Sequence, residues 1–266
     1  QIDLSNATAL RSLLQAVRPA LIVNAAAYTA VDKAEQEPAL AQAINATAPA
    51  VMAEEAARTG ACLVHYSTDY VFNGQSAQPY KESDATDPLS VYGRSKRDGD
   101  RQVMAQAGAF FIFRSSWVVG AHGGNFLKTM LRLAAERDQL NVVADQTGVP
   151  TAATWLAELA LRAMPLAQRE GFNGLFHATP RGQTTWHGYA QYVLTQAASQ
   201  GWTFKATADQ VHPITTAQYP LPAQRPAYGL LDSSLLARNL QCDWPDWQAG
   251  VNQVIAELSQ HLPAKV

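Results

Sequence analysis

The chain has 266 residues and a formal net charge of −2, and 47% of its residues are hydrophobic, which is enough for a sizeable core in one or two domains. No basic block is present, which excludes an extended nucleic-acid surface, and no apolar run reaches the ~18 residues that a membrane span needs. The cysteines, Cys62 and Cys242, show neither metal-ligand spacing nor a disulfide framework, so we expect a cytoplasmic protein without a metal site.

The first elements along the chain are a predicted helix and a predicted buried strand. Asp3, Ser5 or Asn6 is placed to cap the helix, which Pro19 ends. The apolar run over residues 20–24 follows, with small residues directly after it. Such a run is typical of a parallel sheet covered on both faces, and open α/β sheets bind ligands at the carboxyl ends of their strands. The small residues therefore indicate either close approach of a ligand or close packing of a helix.

Helices and strands alternate along the next part of the chain. We predict helices over residues 38–59, 91–106, 125–137 and 152–167, and strands over residues 61–66, 109–115 and 140–144. This alternation predicts an α/β fold with a doubly wound parallel sheet and right-handed crossovers. The pattern is less regular after residue 146, so we divide the chain into a larger domain, 1–146, and a smaller α/β domain, 147–266.

The stretch from His65 to Lys96 carries the clearest functional pattern. Tyr92 and Lys96 are four residues apart on a predicted helix, so their side chains lie on one face, one turn apart. An adjacent ammonium favours the phenolate, so we expect Lys96 to lower the pKa of Tyr92 towards the range of useful proton transfer. Thr68, at the end of the preceding strand, is expected to donate a hydrogen bond to the same substrate oxygen. By itself the Tyr-x-x-x-Lys pair also fits an exposed helix turn, and it is the preceding strand, hydroxyl pair and loop that favour catalysis.

Several motifs together resemble a known group of enzymes. They are DLSN, IVNAAAYTAVDKAE, HYSTDYVFNG, VYGRSK, FRSSWV, NFLKTMLRLA, DQTGVPT, TTAQYPLPAQRP and DWQAGV. The chain resembles the extended short-chain dehydrogenase/reductase superfamily and, within it, the dTDP-4-dehydrorhamnose reductase family. The resemblance implies a Rossmann-like NAD(P)-binding domain over residues 1–146 and a mainly substrate-binding domain over residues 147–266. It implies that NADPH or NADH reduces the C4 keto group of dTDP-6-deoxy-L-lyxo-4-hexulose to give dTDP-L-rhamnose, a polysaccharide precursor.

The resemblance also implies roles for individual residues. Tyr92 would donate a proton to the new hydroxyl, Lys96 would bind the nicotinamide ribose, and Thr68 would hold the substrate oxygen. The positions that match cofactor contacts are Asp3, Leu4, Ala26, Ala27, Tyr28, Thr29, Tyr92 and Lys96. The positions that match the nucleotide-sugar side are Thr68, Asp69, Trp117, Asn125 and Arg225. An arginine there suits bidentate binding of a pyrophosphate.

Three features depart from the family pattern. The glycine-rich turn that binds the cofactor pyrophosphate would lie upstream of Gln1, so we expect a longer protein with a further strand–helix–strand unit at its start. In the late proline-rich loop, Gln224 and residues 227–229 differ from the family, which alters the finer substrate contacts. Thr154 stands where some family members have a carboxylate for magnesium, so the expectation of no metal site is kept.

Two alternatives were weighed against a ketoreductase. A dehydratase or epimerase of the same superfamily is disfavoured, because dehydratases place an Asp-Glu pair after the threonine and here Asp69 is followed by Tyr70. A non-catalytic, NADP-binding regulator similar to the regulatory subunit of methionine adenosyltransferase remains open, although the intact Thr68, Tyr92 and Lys96 set favours an enzyme. The expected partner is a dTDP-linked 4-keto-6-deoxy sugar. We expect neither a nucleic-acid nor a membrane partner, and consider a homodimer.

Overall fold

The computed structural model describes residues 2–106, 108–167 and 172–260. In chain order, the α-helices are α1 (Ala7–Val17), α2 (Val31–Ala34), α3 (Pro38–Gln42), α4 (Ala48–Thr59), α5 (Val91–Met104), α6 (Phe126–Glu136), α7 (Ala153–Ala163), α8 (Trp186–Ser199), α9 (Ser234–Leu240) and α10 (Trp247–Ser259). The strands are β1 (Leu21–Asn24), β2 (Cys62–Thr68), β3 (Phe110–Ser115), β4 (Val118–Val119), β5 (Leu140–Val143), β6 (Thr147–Gly148), β7 (Thr151–Ala152), β8 (Gly174–His177), β9 (Thr184–Thr185) and β10 (Val211–Ile214).

The central sheet has four parallel strands in the order β1–β2–β3–β8. Apolar side chains cover both of its faces, because successive residues of a strand point to opposite sides. Ile112 of β3 belongs to a core cluster with residues of α1 and α4. Its neighbours Phe111 and Phe113 belong to a second cluster with residues of α7 and α9. The predicted α/β fold with a doubly wound parallel sheet is confirmed.

The helix predicted over residues 38–59 is not continuous. It consists of α3 and α4, joined by one π-helical turn over Ala43–Thr47. Gly60 ends α4 in a left-handed conformation (φ 73°), which is typical of a glycine that caps a helix C-terminus. At the start of the chain, Asn6 is the residue that caps α1, since its side chain accepts a hydrogen bond from the Ala9 amide. π turns of this kind often lie near functional sites.

The predicted strand at residues 140–144 forms outside the central sheet. Leu140–Val143 pairs in parallel with Val211–Ile214, so β5 and β10 make a separate two-stranded sheet. Conversely, β8 lies in the second half of the chain, and it pairs with β3 to complete the central sheet. The sequence pattern predicts that a strand forms, but the partner of a strand depends on long-range packing. A third core cluster joins α6, α8 and α10 to this small sheet.

Candidate active site

Strand β2 and helix α5 bring the three predicted catalytic residues together. Thr68 is the last residue of β2, Tyr92 lies in the first turn of α5, and Lys96 lies one turn further along. A Cβ atom at Gly93 would overlap the carbonyl oxygen of Tyr70, so a glycine is required for α5 to approach the end of β2 this closely. The close approach places the Tyr92 phenol beside the Thr68 side chain.

The Tyr92 phenol is a protonated group at neutral pH. The residue is half-buried by surface area, yet protein atoms enclose its ring closely enough that desolvation raises the pKa of Tyr92 to about 12, while the Thr68 side chain opposes the rise. The expectation that Lys96 lowers the pKa of Tyr92 is therefore wrong here, because desolvation of the phenolate outweighs any attraction by the ammonium. A phenol of this kind keeps its proton until a stronger base appears, which suits a proton donor.

The Lys96 ammonium is buried and bound to β2. Its Nζ donates to the carbonyl oxygen of Tyr66 (2.6 Å) and lies 3.4 Å from His65 Nε2. Burial lowers the pKa of Lys96 to about 8, and the carboxylate of Asp100 limits the decrease. In the part of the chain that the structure describes, no hydrogen bond joins Nζ to Tyr92. An ammonium has three protons and one of them is donated to the Tyr66 carbonyl, so a further proton is available to a ligand.

Buried polar residues behind Lys96 hold it in place. His65 is inaccessible to solvent, and its Nδ1 lies 3.0 Å from the side-chain amide nitrogen of Asn24. Burial, together with the charge of Lys96, keeps the pKa of His65 well below its usual range, so the ring is neutral. Asp100, one turn beyond Lys96, accepts a hydrogen bond from Arg114 Nε (2.9 Å). The sequence does not indicate this network, because isolated polar residues in buried elements form no motif.

Four of the residues matched to the cofactor, over residues 26–29, follow β1 closely, and Asn45 binds this segment through polar contacts that the sequence did not indicate. Ala26 and Thr29 are exposed and Ala27 is half-buried. The Tyr28 amide donates to Asn45 Oδ1 (2.8 Å), and the Asn45 Nδ2 donates back to the Tyr28 carbonyl (3.0 Å). Asn45 lies in the π turn and also donates to a serine hydroxyl on α5, so it ties the end of β1 to the helix that carries Tyr92 and Lys96.

Asp3 and Leu4, also matched to the cofactor, have local structural roles. The exposed Asp3 carboxylate accepts hydrogen bonds from the backbone amide (2.9 Å) and the hydroxyl (2.8 Å) of Ser5, and these bonds lower the pKa of Asp3. The half-buried Leu4 packs against the core cluster that contains α1. Both residues therefore shape the turn that leads into α1.

A cavity of about 710 Å³ lies between α6, the β5–β10 sheet and the segment over residues 214–225. Trp186 lines it, and the ring of Trp117 stacks on Trp186 with 3.6 Å between ring centroids. Asn125 caps α6, since its Oδ1 accepts from the Lys128 amide (3.0 Å), and its Nδ2 donates to the Gly120 carbonyl. Among the residues matched to the nucleotide-sugar side, Trp117 and Asn125 thus shape the cavity region, and Arg225 lines the cavity.

Arg225 is paired with a carboxylate from the other half of the chain. Its Nη1 and Nη2 donate to Asp32 Oδ1 (3.1 Å) and Oδ2 (2.6 Å), and Asp32 also accepts from the Ala223 amide. The ion pair lowers the pKa of Asp32. The Arg225 guanidinium also interacts with the Tyr70 hydroxyl. The ring of Tyr70 in turn packs edge-on against that of Tyr92. Arg225 thereby lies between the cavity and the predicted catalytic residues.

Thr68 and Asp69 form a pair at the end of β2. Thr68 Oγ1 donates to Asp69 Oδ1 (3.0 Å) and accepts from the Tyr70 amide (3.2 Å). Asp69 is only 2% exposed, and its burial raises the pKa of Asp69 to about 7 although Thr68 opposes the rise. The structure therefore brings Thr68, Asp69, Tyr92 and Lys96 together as predicted, with the Thr68 hydroxyl already engaged.

Within residues 2–106, 108–167 and 172–260, no group of three or more His, Cys, Asp or Glu side chains is arranged to hold a metal ion. Over the same residues, no helix combines the length and apolar character of a membrane span. Burial raises the pKa of the Cys62 thiol, which disfavours the reactive thiolate. The side chains that meet at the end of β2 supply a phenol, an ammonium, a hydroxyl and a carboxyl group.

The chain is similar to known proteins over almost its whole length. The sequence profile of the family described as "RmlD substrate binding domain" matches residues 1–260. A dTDP-4-dehydrorhamnose reductase of Salmonella typhimurium is 44% identical over 257 residues, which cover 96% of this chain and 85% of that protein. The crystal structures of two dTDP-4-dehydrorhamnose reductases, each 34% identical in sequence, superpose well. That from Clostridium acetobutylicum has a TM-score of 0.87 and covers 97% of this chain and 87% of its own. That from Bacillus anthracis, in complex with NADP, has a TM-score of 0.88 and covers 96% of this chain and 87% of its own. The chain therefore belongs to the dTDP-4-dehydrorhamnose reductase family.

Proposed function

We propose that this protein reduces the C4 keto group of dTDP-6-deoxy-L-lyxo-4-hexulose with NADPH or NADH and produces dTDP-L-rhamnose. The observation that carries the proposal is the convergence of Thr68, Tyr92 and Lys96 at the end of one parallel strand. A proton donor and a buried cation at such a sheet end suit reduction of a carbonyl. Relatives of this family are named for this reduction, and one was crystallised with NADP.

The residues around Lys96 fit a nicotinamide cofactor. The Lys96 ammonium has protons beyond the one that it donates to the Tyr66 carbonyl, and the Ser67 hydroxyl is buried without a partner among the described residues. Both are suitable partners for the hydroxyl and amide groups of a nicotinamide riboside. The exposed Ala26 leaves the end of β1 open to a ligand. The cofactor would supply the hydride, and the protein supplies orientation and a proton.

In this mechanism Tyr92 donates its phenolic proton to the C4 oxygen while the carbonyl becomes a hydroxyl. The raised pKa keeps the proton on Tyr92 until charge develops on that oxygen, because an alkoxide is a far stronger base than a phenolate. Lys96 holds a positive charge near the phenolate that remains, and Thr68 orients the substrate oxygen.

The cavity of about 710 Å³ is proposed to hold the nucleotide of the substrate. Trp186 and Gln146 line it and are joined by a hydrogen bond from the indole Nε1 (3.1 Å), so an aromatic face and an amide lie side by side. Arg225 at the edge of this cavity already donates to Asp32 and to the Ala223 carbonyl, and it would contribute its positive charge and its remaining Nη2 proton to the diphosphate.

Replacing Arg225 by glutamine should raise the KM for the nucleotide sugar at least ~10-fold while kcat changes little, because the lost charge contacts a non-reacting part of the substrate. Steady-state kinetics with varied sugar nucleotide measure both constants. Arg225→Lys should recover only part of the affinity, since a lysine lacks the planar fork. Arg132→Gln, which breaks an exposed ion pair with Glu136 on α6, is the matched control. An unchanged KM in Arg225→Gln would show that Arg225 does not bind the diphosphate.

The proposed function is tested by supplying the purified protein with NADPH and either dTDP-4-keto-6-deoxy sugar or no sugar. The absorbance of NADPH should fall only with the keto sugar, and NMR of the product should show the C4 configuration of rhamnose rather than 6-deoxytalose. Tight NADPH binding without oxidation by any 4-keto-6-deoxy nucleotide sugar would instead favour the non-catalytic regulator.

We also propose the division of labour between the two halves of the chain, with cofactor binding mainly in residues 1–146 and substrate binding mainly in residues 147–266. This division is one of function, because the sheets cross the boundary in sequence. Strand β8 from the second half joins the central sheet, and β5 from the first half pairs with β10. A cytoplasmic homodimer without nucleic-acid or membrane partners is proposed with it. Sedimentation of the purified protein and fractionation of cells test these points.

A further inference from the structure

The Thr68 hydroxyl has a single proton, and its present partner is a carboxyl group. Thr68 Oγ1 donates to Asp69 Oδ1 (3.0 Å) and accepts from the Tyr70 amide (3.2 Å). With an ionised Asp69, this proton is committed to the carboxylate, which can only accept. Thr68 then has no proton to donate to a substrate oxygen. The role proposed for Thr68 thus depends on the protonation state of Asp69.

Backbone packing against Asp69 excludes water from the carboxyl group. A Cβ atom at Gly229 would lie 2.5 Å from Asp69 Oδ2, so the absence of a side chain there lets the backbone cover the carboxyl. The Gly229 amide donates to the Thr147 carbonyl (2.8 Å), which fixes the covering segment in position. Neither Gly229 nor Thr147 carries a positive charge that would stabilise an ionised Asp69.

The titratable groups around Asp69 also disfavour its ionised form. Tyr70, its neighbour in the chain, and Tyr92 on α5 are both phenols whose pKa values the Asp69 charge raises. The nearest guanidinium named in this region, Arg225, is engaged by the carboxylate of Asp32 and reaches Tyr70 rather than Asp69. Desolvation raises the pKa of Asp69 to about 7, and it outweighs the hydrogen bonds from the Thr68 side chain and from the backbone amides of Asp69 and Tyr70, which favour the ionised form. A bound diphosphate, being anionic, would favour the protonated form further.

We propose that Asp69 acts as a protonated carboxylic acid that donates to Thr68 Oγ1, so that Thr68 in turn donates to the C4 oxygen, and that Gly229 is the residue that maintains this arrangement. Asp69 and Gly229 are then positioning residues for Thr68. This inference rests on the proposed function of the site. Asp69 keeps its proton throughout and only donates it as a hydrogen bond. The hydrogen bonds from Asp69 to Thr68 and from Thr68 to the C4 oxygen strengthen as negative charge develops on that oxygen.

The protonation state of Asp69 makes kcat depend on pH. Thr68 has a proton to donate when Asp69 is protonated, so kcat should fall as the pH rises through the pKa of Asp69 in the substrate complex. Asp69→Asn has an amide that donates to Thr68 Oγ1 at every pH, so its kcat should be flat over that range and within ~10-fold of the wild-type value at low pH. Asp69→Ala has no donor and should lose at least ~10²-fold in kcat.

Gly229→Ala tests the second half of the proposal, because its methyl group must displace the Asp69 carboxyl. We expect kcat to fall at least ~10-fold, with an unchanged Kd for NADPH. Gly124→Ala is the matched control, since nothing lies within 4 Å of a Cβ atom built there. The proposal is overturned if Asp69→Asn is as inactive as Asp69→Ala, if its profile keeps the wild-type alkaline limb, or if Gly229→Ala is indistinguishable from Gly124→Ala.

Infrared spectroscopy separates this inference from the proposed reaction. In protein labelled with ¹³C-aspartate, the wild-type spectrum minus that of Asp69→Asn should contain a protonated carboxyl band that disappears near the pKa of Asp69. The band needs no substrate, so it is expected even if no keto sugar is reduced. Its absence throughout the acidic and neutral range would show an ionised Asp69 and overturn the proposal, whatever the outcome of the activity assay.

Discussion

Tyr92→Phe is expected to lower kcat at least ~10²-fold, because it removes the only group proposed to donate a proton to the C4 oxygen. The substitution keeps the aromatic ring, and with it the edge-on packing against Tyr70. Binding of NADPH and the KM for the sugar should therefore change little. Single-turnover reduction, followed by NADPH absorbance, separates the chemical step from product release.

The control for this variant is Tyr192→Phe on α8, which removes a hydroxyl that donates to Asn252 (3.0 Å) in the other part of the fold. It should retain the wild-type kcat. If Tyr92→Phe turns over at the wild-type rate, Tyr92 is not the proton donor, and another acid must be sought among the groups beside Thr68.

Lys96→Met should abolish most of the activity and remove a pH-dependent part of the stability. We expect kcat to fall at least ~10²-fold, because the buried charge that stabilises the Tyr92 phenolate is lost. The pKa of Lys96 lies at about 8 in the folded protein, against 10.5 for an unperturbed lysine. Between these pH values the unfolded chain binds the extra proton, so this residue makes the folded state more stable as the pH rises.

The size of this effect is roughly 3 kcal/mol, accumulated between pH ~8 and pH ~10.5, since each unit of pKa shift corresponds to ~1.4 kcal/mol. Denaturant unfolding of wild type and Lys96→Met across this range measures it as a difference. Lys81→Met, at an exposed position, should show no such difference. If the free energy of unfolding changes with pH in the same way in wild type and Lys96→Met, burial does not lower the pKa of Lys96.

Local patterns in the sequence predicted most of the alternating helices and strands and the three residues that meet at the end of β2. The alternation of helices and strands predicted the parallel sheet, and the spacing of four between Tyr92 and Lys96 predicted their shared face. Both follow from backbone geometry that acts over a few residues. Thr68 joins them because the ends of parallel strands and the starts of the following helices lie at one edge of a sheet.

Protonation states could not be derived in the same way. The sequence places Lys96 next to Tyr92 and suggests a lowered pKa for the phenol, whereas in the folded protein burial raises it. The Lys96 ammonium is directed at Tyr66 and His65 instead. Desolvation depends on every atom packed around a group, and most of those atoms come from distant parts of the chain.

The sequence by itself determined the order of elements, the α/β class and the convergence of Thr68, Tyr92 and Lys96, because these depend on short-range periodicity and on the rules that connect parallel strands. Only the tertiary structure decided that β5 pairs with β10, that Asp32 binds Arg225 across 193 positions, and that Gly229 covers Asp69. Those contacts depend on which distant surfaces fit together, and no local pattern of residue types encodes such a fit.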